Sequence, residues 1–447
     1  MDYPAYPVYR KSGIEWLGKI PDHWQILPIK RFTLIKRGAS PRPIDDEKYF
    51  DDDGEYAWVR IADVTANKHY LKETTQRLSD LGKSYSVPLE SGQLFLSIAG
   101  SVGKPVISKI KCCIHDGFVY FQGLTQEPEF LYYIFESAQP YLGLGKLGTQ
   151  LNLNTDTVGG INIGLPSIDE QQNIAQFLDH KTQQIDQLIA KKKTLIDKLN
   201  EQRIALITHA VTKGLNPAVT LEDSGVEWLG EVPKHWDVVR LRYITEKITS
   251  GSRGWAQYFA DEGEQFLRIT NLSRKSISLL EDDMRRVNPP EGTEGERTKT
   301  QDGDILVSIT ADLGSIAVIP ENYEASYVSQ HIALVRPEPK QFDSKWIAYC
   351  LFSHAGKAQL LGAGYGGTKV QLGLADIKEV YVPIPPLLEQ TQIIEQLVEQ
   401  IDRVDRMVEL NRETIDKLKE YRTALITAAV TGKIDVRKWQ KMETKGA

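Results

Sequence analysis

The sequence predicts an α+β protein: two similar mixed α/β domains separated by two long antiparallel helices that pair as a coiled coil, arranged as a pseudo-twofold repeat. Three observations predict it. The chain repeats itself at a nearly constant offset, each copy holds short β-rich runs broken by glycine and proline, and each copy closes with a long segment free of both.

The repeat is direct. SGIEWLGKIPDHW at 12–24 returns as SGVEWLGEVPKHW at 224–236, with nine of thirteen positions identical. GQLFLSIAGSVG at 92–103 matches GDILVSITADLG at 303–314. LPSIDEQQNIAQFL at 165–178 matches IPPLLEQTQIIEQL at 384–397, and IDKLNEQRIALITHAVT at 196–212 matches IDKLKEYRTALITAAVT at 415–431. Offsets that stay between 208 and 219 over the whole length mark a duplicated unit.

Each copy opens with Trp-Pro-Trp punctuation. In the first, YAWVRI, GQLFLSI, KPVISKI and FVYFQG read as strands bounded by turn residues, and EFLYYIFESAQPYL (129–142) reads as a short helix with a counterpart near 344–360. Leu165-Pro166 and Ile384-Pro385-Pro386 mark where the closing helices begin, because proline suits a first helical turn and disfavours helix before it.

The closing segments, 168–210 and 387–430, would each extend about 64 Å as an α-helix. A narrow apolar seam runs along each. In the first it is Ile174, Leu178, Ile185, Leu188, Leu195, Leu199 and Leu206, interrupted by Lys181, Lys192 and Gln202. In the second it is Ile393, Leu397, Val404, Met407, Leu418, Tyr421 and Leu425. So thin a stripe calls for one partner helix, and the other copy supplies it. An antiparallel pair would put the globules at opposite ends, a shape suited to two separated half-sites on DNA or to a pair of protein protomers.

Composition is ordinary for a globular chain: 447 residues, 26% charged, 41% hydrophobic, net charge −6. Three cysteines, two of them adjacent, make no disulfide framework. The opening MDYPAYPVYR has no apolar signal core. Nor does any run reach the roughly 18 apolar residues of a membrane span. The expected location is cytoplasmic, with no membrane contact. Residues 1–165 hold 18 basic against 19 acidic side chains, and 216–384 hold 18 against 24, so a DNA face would be a local patch.

The repeated Trp-Pro-Trp opening, the G-[DQ]-[IL]-[LF]-x-S-I run, the G-T-[QK] loop and the [LI]-P-[SP]-x-x-E-Q helix entry together resemble the DNA-specificity subunit of type I restriction-modification enzymes, over about 12–434. The resemblance implies a first target-recognition domain at 1–165, a central conserved helix at 166–215, a second recognition domain at 216–384, and a C-terminal helix and tail at 385–447. It implies that each domain reads one half of a bipartite, asymmetric sequence in double-stranded DNA. The helices would set the spacer and dock two modification (methyltransferase) subunits, which restriction (translocase and nuclease) subunits then join. Adenine methylation and ATP-dependent cleavage would belong to those partners, so S-adenosylmethionine, ATP and Mg are expected in them and no cofactor in this chain.

The residues agree that this chain is not the catalyst. Asn288-Pro289-Pro290-Glu291 lacks the aromatic that would stack on an extruded adenine. The Gly143-x-Gly145-x-x-Gly148 and Gly362-x-Gly364-x-x-Gly367 strings follow a helix rather than a strand, which a dinucleotide fingerprint does not. There is no full Gly-x-x-x-x-Gly-Lys-Ser/Thr phosphate loop, and Cys112-Cys113-x-His115 is a poor zinc arrangement without a second copy. His23 and His235 read as packing around a turn.

Candidate DNA contacts are donors and planar groups on loops at matching places. Arg37, Ser40 and Arg42 face Ser252, Arg253 and Trp255. Arg60 and Asp63 face Arg268 and Asn271, either as fixed reading heads or as internal braces. Ser101 and Lys104 face Thr310. In the G-T-[QK] loop, which the family places on the DNA side, Lys146, Thr149, Gln150 and Asn152 face Thr368, Lys369 and Gln371. The copies diverge most over 37–90 and 250–300, as two unlike half-sites require. The competing reading is a coiled-coil scaffold with two protein-binding heads and no DNA binding, which net acidity favours.

Overall fold

The computed structural model describes residues 3–67, 69–142, 144, 153–251, 253–290, 292–338, 341–362 and 371–439. It divides into two compact units, residues 1–192 with 413–447 and residues 193–412. The division falls inside both long helices rather than at their starts.

In the first unit, a five-stranded sheet runs in the order Leu34–Arg37, Phe118–Gln122, Leu94–Ser97, Pro105–Ser108, Tyr70–Leu71. A four-stranded sheet runs Gln76–Leu78, Tyr56–Val59, Cys112–Ile114, Val87–Leu89. Alternation explains the layering: Leu94 and Leu96 pack toward the helix Pro128–Glu136, while Phe95 points the other way onto Ala57, Val59 and Cys112 of the second sheet. Pairing is antiparallel except where 112–114 meets 56–59 and 105–108 meets 70–71.

The second unit repeats this plan. Thr245–Ser250, Ile332–Pro337, Ile305–Ser308 and Ile316–Val318 form one sheet; Phe259–Ala260, Arg285–Val287, Glu264–Leu267 and Ser326–Val328 form the other. Ile305 and Val307 pack toward the helix Ser344–Phe352, whereas Leu306 joins Leu267 and Val328.

The first long helix spans Ile168–Lys213 (46 residues) and the second Leu387–Val430 (44 residues). Both end at a left-handed glycine, Gly214 and Gly432, which releases the chain without the strain a Cβ would add. Within each unit the two helices pair antiparallel. In the first, Phe177 meets Trp439 and Asp186 meets Arg422 (3.5 Å), so rising numbers on one helix face falling numbers on the other. In the second, Arg203 Nε lies 3.0 Å from Asp405 Oδ1, and Gly214 lies beside Ile393.

These two ion pairs are the same pair written twice, since Arg203 and Asp186 correspond to Arg422 and Asp405 at the offset of 219. Each arginine also grips its own globule: Arg422 Nη1 bonds Glu136 (3.1 Å), and Arg203 Nη1 bonds the Lys275 carbonyl.

The observed seam corrects part of the expected one. Ile174, Leu178, Ile185, Leu199, Ile393, Leu397, Val404 and Leu425 are buried, and Leu206 and Leu418 are partly so. Leu188, Leu195, Met407 and Tyr421 are exposed. The stripe passes instead through Thr182, Ile189, Ile196 and Arg203 on the first helix, and through Val408, Asn411, Ile415 and Arg422 on the second. That is a heptad alternation carried partly by polar residues.

His69 in the first unit gives a pH prediction. Its ring stacks on Tyr70 and Tyr132 with centroids 3.9 and 3.7 Å away. Burial pushes its imidazole down to about 3, with Lys109 and Arg422 adding to the effect; nearby Asp179 is engaged by the Tyr133 hydroxyl. The folded form therefore resists protonation. Stability is full above pH 6.5 and is lost as pH falls toward 3. Between pH 7 and pH 5, His69→Phe should remove about 2 kcal/mol of acid sensitivity from unfolding free energies measured in urea.

Candidate nucleic-acid interface

The first element of the site is how each globule locks onto a long helix. Glu170 and Gln171 enter the first helix just after Pro166, as Glu389 and Gln390 enter the second after Pro386. Glu170 accepts from Trp24 Nε1 (3.1 Å), pairs with His23 Nε2 (2.9 Å) and accepts from the Tyr6 hydroxyl (2.7 Å). Glu389 repeats the first two contacts with Trp236 and His235 at the same distances. Gln171 accepts from the backbone N–H of Glu127 at the start of the helix Pro128–Glu136, and Gln390 from that of Asp343. The repeated Pro-x-His-Trp and Glu-Gln motifs are thus one latch. The sequence shows both motifs but not that they meet.

In each unit, loops from opposite ends of the sequence gather at one place. In the first, the 37–43 loop is held on Asp116: Arg37 Nε donates to its carbonyl, Ser40 Oγ to Oδ1 (2.9 Å), and Arg42 lies 3.4 Å from Oδ2. The Ser40 hydrogen bond, with help from His115 and Arg37, holds the Asp116 carboxyl below its usual range. Gly38 is required here, because a Cβ would lie 2.2 Å from the His115 carbonyl oxygen. Gly251 stands in the same relation to Ser329, at 2.1 Å. Arg42 remains 79% exposed at its side chain, so its pairing leaves it available to phosphate.

The segments after Val59 and Leu267 share one local arrangement. Asp63 accepts from the Arg60 backbone N–H (2.8 Å), capping the helix Ile61–Ala66, and Asn271 does the same for Arg268 (3.0 Å). Asp63 and Asn271 are buried braces and do not present themselves to a ligand. Arg268 Nη2 pairs with Asp283 (2.9 Å). Arg60 lines a cleft with Asp45, Glu47, Asp51 and Asp52.

Ser101 contacts Thr65 (3.2 Å), bringing the third loop beside the second. Lys104, expected at DNA, instead donates to the carbonyls of Val64 (2.6 Å) and Asn67 (2.9 Å), closing the end of that short helix. Its partial burial lowers the ammonium pKa. Trp255 is not an exposed loop aromatic: it is buried, stacked on Phe266 at 5.8 Å and set against Tyr258 and Tyr327, and it lines a pocket with Arg268 and Ser329.

Thr310 Oγ1 meets His331 Nδ1 (2.8 Å), and Thr310 pairs as a backbone bridge with Gln371, which joins the G-T-[QK] segment to the site. Arg253 is exposed. Lys146, Thr149, Gln150, Asn152, Ser252, Thr368 and Lys369 lie outside the described residues.

Sequence reasoning missed one component, the loops 115–117 and 329–331, which carry the chain from one sheet of each unit to the other. Ile98 N–H bonds the Gly117 carbonyl (2.8 Å) and Ile309 N–H the His331 carbonyl (3.0 Å), so both loops occupy one place in the frame. Their side chains differ, His-Asp-Gly against Ser-Gln-His. The turn residues before FVYFQG were the available signal. Among the described residues no cluster of metal-ligating side chains occurs, and no helix is long and apolar enough to cross a membrane.

Comparison with known proteins gives one family. The profile described as the type I restriction modification DNA specificity domain matches residues 21–200 and again 233–420. The type I restriction enzyme MjaIX specificity subunit of Methanocaldococcus jannaschii is 24% identical over 94% of this chain and 95% of its own length. Among solved structures, one from a study of complex assembly and conformational transition of the type I R-M system matches with a TM-score of 0.72 at 16% identity, covering 93% of this chain and 99% of that one. The HsdS subunit from Thermoanaerobacter tengcongensis matches with a TM-score of 0.54 at 18% identity, over 93% and 98%. At these identities the two structures speak for the fold.

Proposed function

Because this chain belongs to the type I restriction-modification DNA-specificity family, as the specificity subunit of such a system, we propose that each of its units reads one half of a bipartite, asymmetric sequence in double-stranded DNA. The paired helices set the spacer and dock two modification subunits, and restriction subunits complete the complex. Adenine methylation and ATP-dependent cleavage are the partners' work, with S-adenosylmethionine, ATP and Mg held there. The chain itself is non-catalytic and acts in the cytoplasm.

One observation carries this reading. Among the described residues, corresponding loops come together in both units, yet their side chains differ, Arg37-Ser40-Arg42 on Asp116 in one and Arg268, Gln330 and His331 in the other. A common frame with unlike faces is what reading two different half-sites needs.

Net charge of −6 favours the scaffold alternative, and duplex DNA titrated at several salt concentrations separates the two. The full chain with its modification subunit should bind one sequence in preference to random duplex, with log K falling linearly against log salt. Binding that is salt-independent and indifferent to sequence would favour the scaffold.

A further inference from the structure

We propose that a cavity in the second unit, walled by Trp255, Phe259 and Phe266 and lined by Arg268 and Ser329, receives one thymine of the half-site that unit reads. The inference rests on the DNA-reading assignment above and names the base.

The cavity measures about 330 Å³ and sits where the 254–256, 268–270 and 329–331 segments meet. That is at the lower end of the range for small-molecule pockets. Three of its side chains carry a buried polar atom with no hydrogen-bond partner among the described residues: Trp255 Nε1, Arg268 Nε and Ser329 Oγ. Buried polar groups are nearly always paired, so three unpaired atoms around one cavity mark a place for an incoming partner. The Trp255 and Arg268 groups can only donate, and the Ser329 hydroxyl can do either. The missing partner is therefore an acceptor.

The remaining wall is apolar. Trp255 is fixed by its stack on Phe266 (5.8 Å, 20°), so it is a rigid surface rather than a mobile wedge. Phe259 and Ile269 add to that surface. In the major groove, thymine is the base that presents an acceptor, O4, beside a methyl group. Guanine offers acceptors without a methyl, and adenine and cytosine place an amino donor there.

Arg268 is held for the task, since its Nη2 pairs with Asp283 and its backbone N–H is capped by Asn271. The first unit keeps the capped arginine, Arg60 on Asp63, but differs in the wall around it. Its 37–43 loop contains no tryptophan, and His115-Asp116-Gly117 stands where Ser329-Gln330-His331 stands here.

The test uses the full chain with its modification subunit and the duplex that methylation mapping identifies. Each thymine is replaced singly by deoxyuridine, which keeps O4 and loses the methyl. One position, in one half only, should lose affinity about 3- to 10-fold, the contribution of a single buried methyl. In Phe259→Ala, a substitution at an exposed aromatic, that position's loss should fall below about 2-fold while the salt dependence stays unchanged. If no thymine responds, or the response persists undiminished in Phe259→Ala, the thymine pocket is wrong while DNA reading stands. If the natural chain selects no sequence over random duplex, the DNA-reading assignment fails and this proposal fails with it.

Discussion

Replacing Glu170 with alanine should cost the first unit about 3–5 kcal/mol, the range for removing one partner of a buried charged network. Three donors converge on this carboxylate, from Tyr6, His23 and Trp24, and the residue is only 5% exposed. Burial and the Glu170 hydrogen bond hold the Tyr6 phenol protonated far above its ordinary range, so it remains a donor throughout. Alanine would strand the Trp24 and Tyr6 donors in the core, at about 1–3 kcal/mol each. Glu389→Ala should cost less, about 1–2 kcal/mol, because Glu389 is 30% exposed at its side chain and, among the described residues, its side-chain partners are Trp236 and His235. Denaturant unfolding of the two variants measures the difference. Equal losses would mean that the latch does not work through burial.

The second large effect concerns the helices. The Arg422–Asp186 and Arg203–Asp405 pairs bracket the middle of both helices, so residues 187–202 and 406–421 lie between them. Seven residues inserted after Lys192 and seven after Asn411 fall in these corresponding stretches, and both pairs can still form. Seven inserted after Lys192 alone cannot satisfy both pairs. The single insertion should therefore unfold more readily, by about 3 kcal/mol or more for one broken partly buried pair and its seam. The matched double insertion should stay within about 1 kcal/mol of the natural chain and lengthen each helix by about 10 Å, close to three base pairs.

Much of this architecture was legible because duplication doubles every signal. SGIEWLGKIPDHW matched by SGVEWLGEVPKHW, and two stretches without proline or glycine, suffice to place the repeated units and the long helices. What escaped did so for physical reasons. Leu188, Leu195, Met407 and Tyr421 continue a plausible stripe, but the true seam passes through Thr182, Arg203, Asn411 and Arg422, whose polarity hides them from a hydrophobic count. Trp255 reads as a loop aromatic because the rings that bury it, Phe266 and Tyr327, are 11 and 72 positions away. Lys104 reads as a free cation because the carbonyls it closes belong to the end of the helix Ile61–Ala66, some 40 positions away. Arg37, Ser40 and Arg42 read as neighbours in sequence, but their shared anchor, Asp116, lies more than 70 positions on, in the loop that joins the two sheets.

Mapping methylated adenines genome-wide, in cells carrying first the natural chain and then the matched double insertion, tests the account at its centre. The natural chain should mark one motif made of two unlike halves at a fixed gap. The insertion should widen that gap by about three base pairs and leave both halves unchanged. A single uninterrupted motif, or halves that change while the gap stays constant, would contradict it.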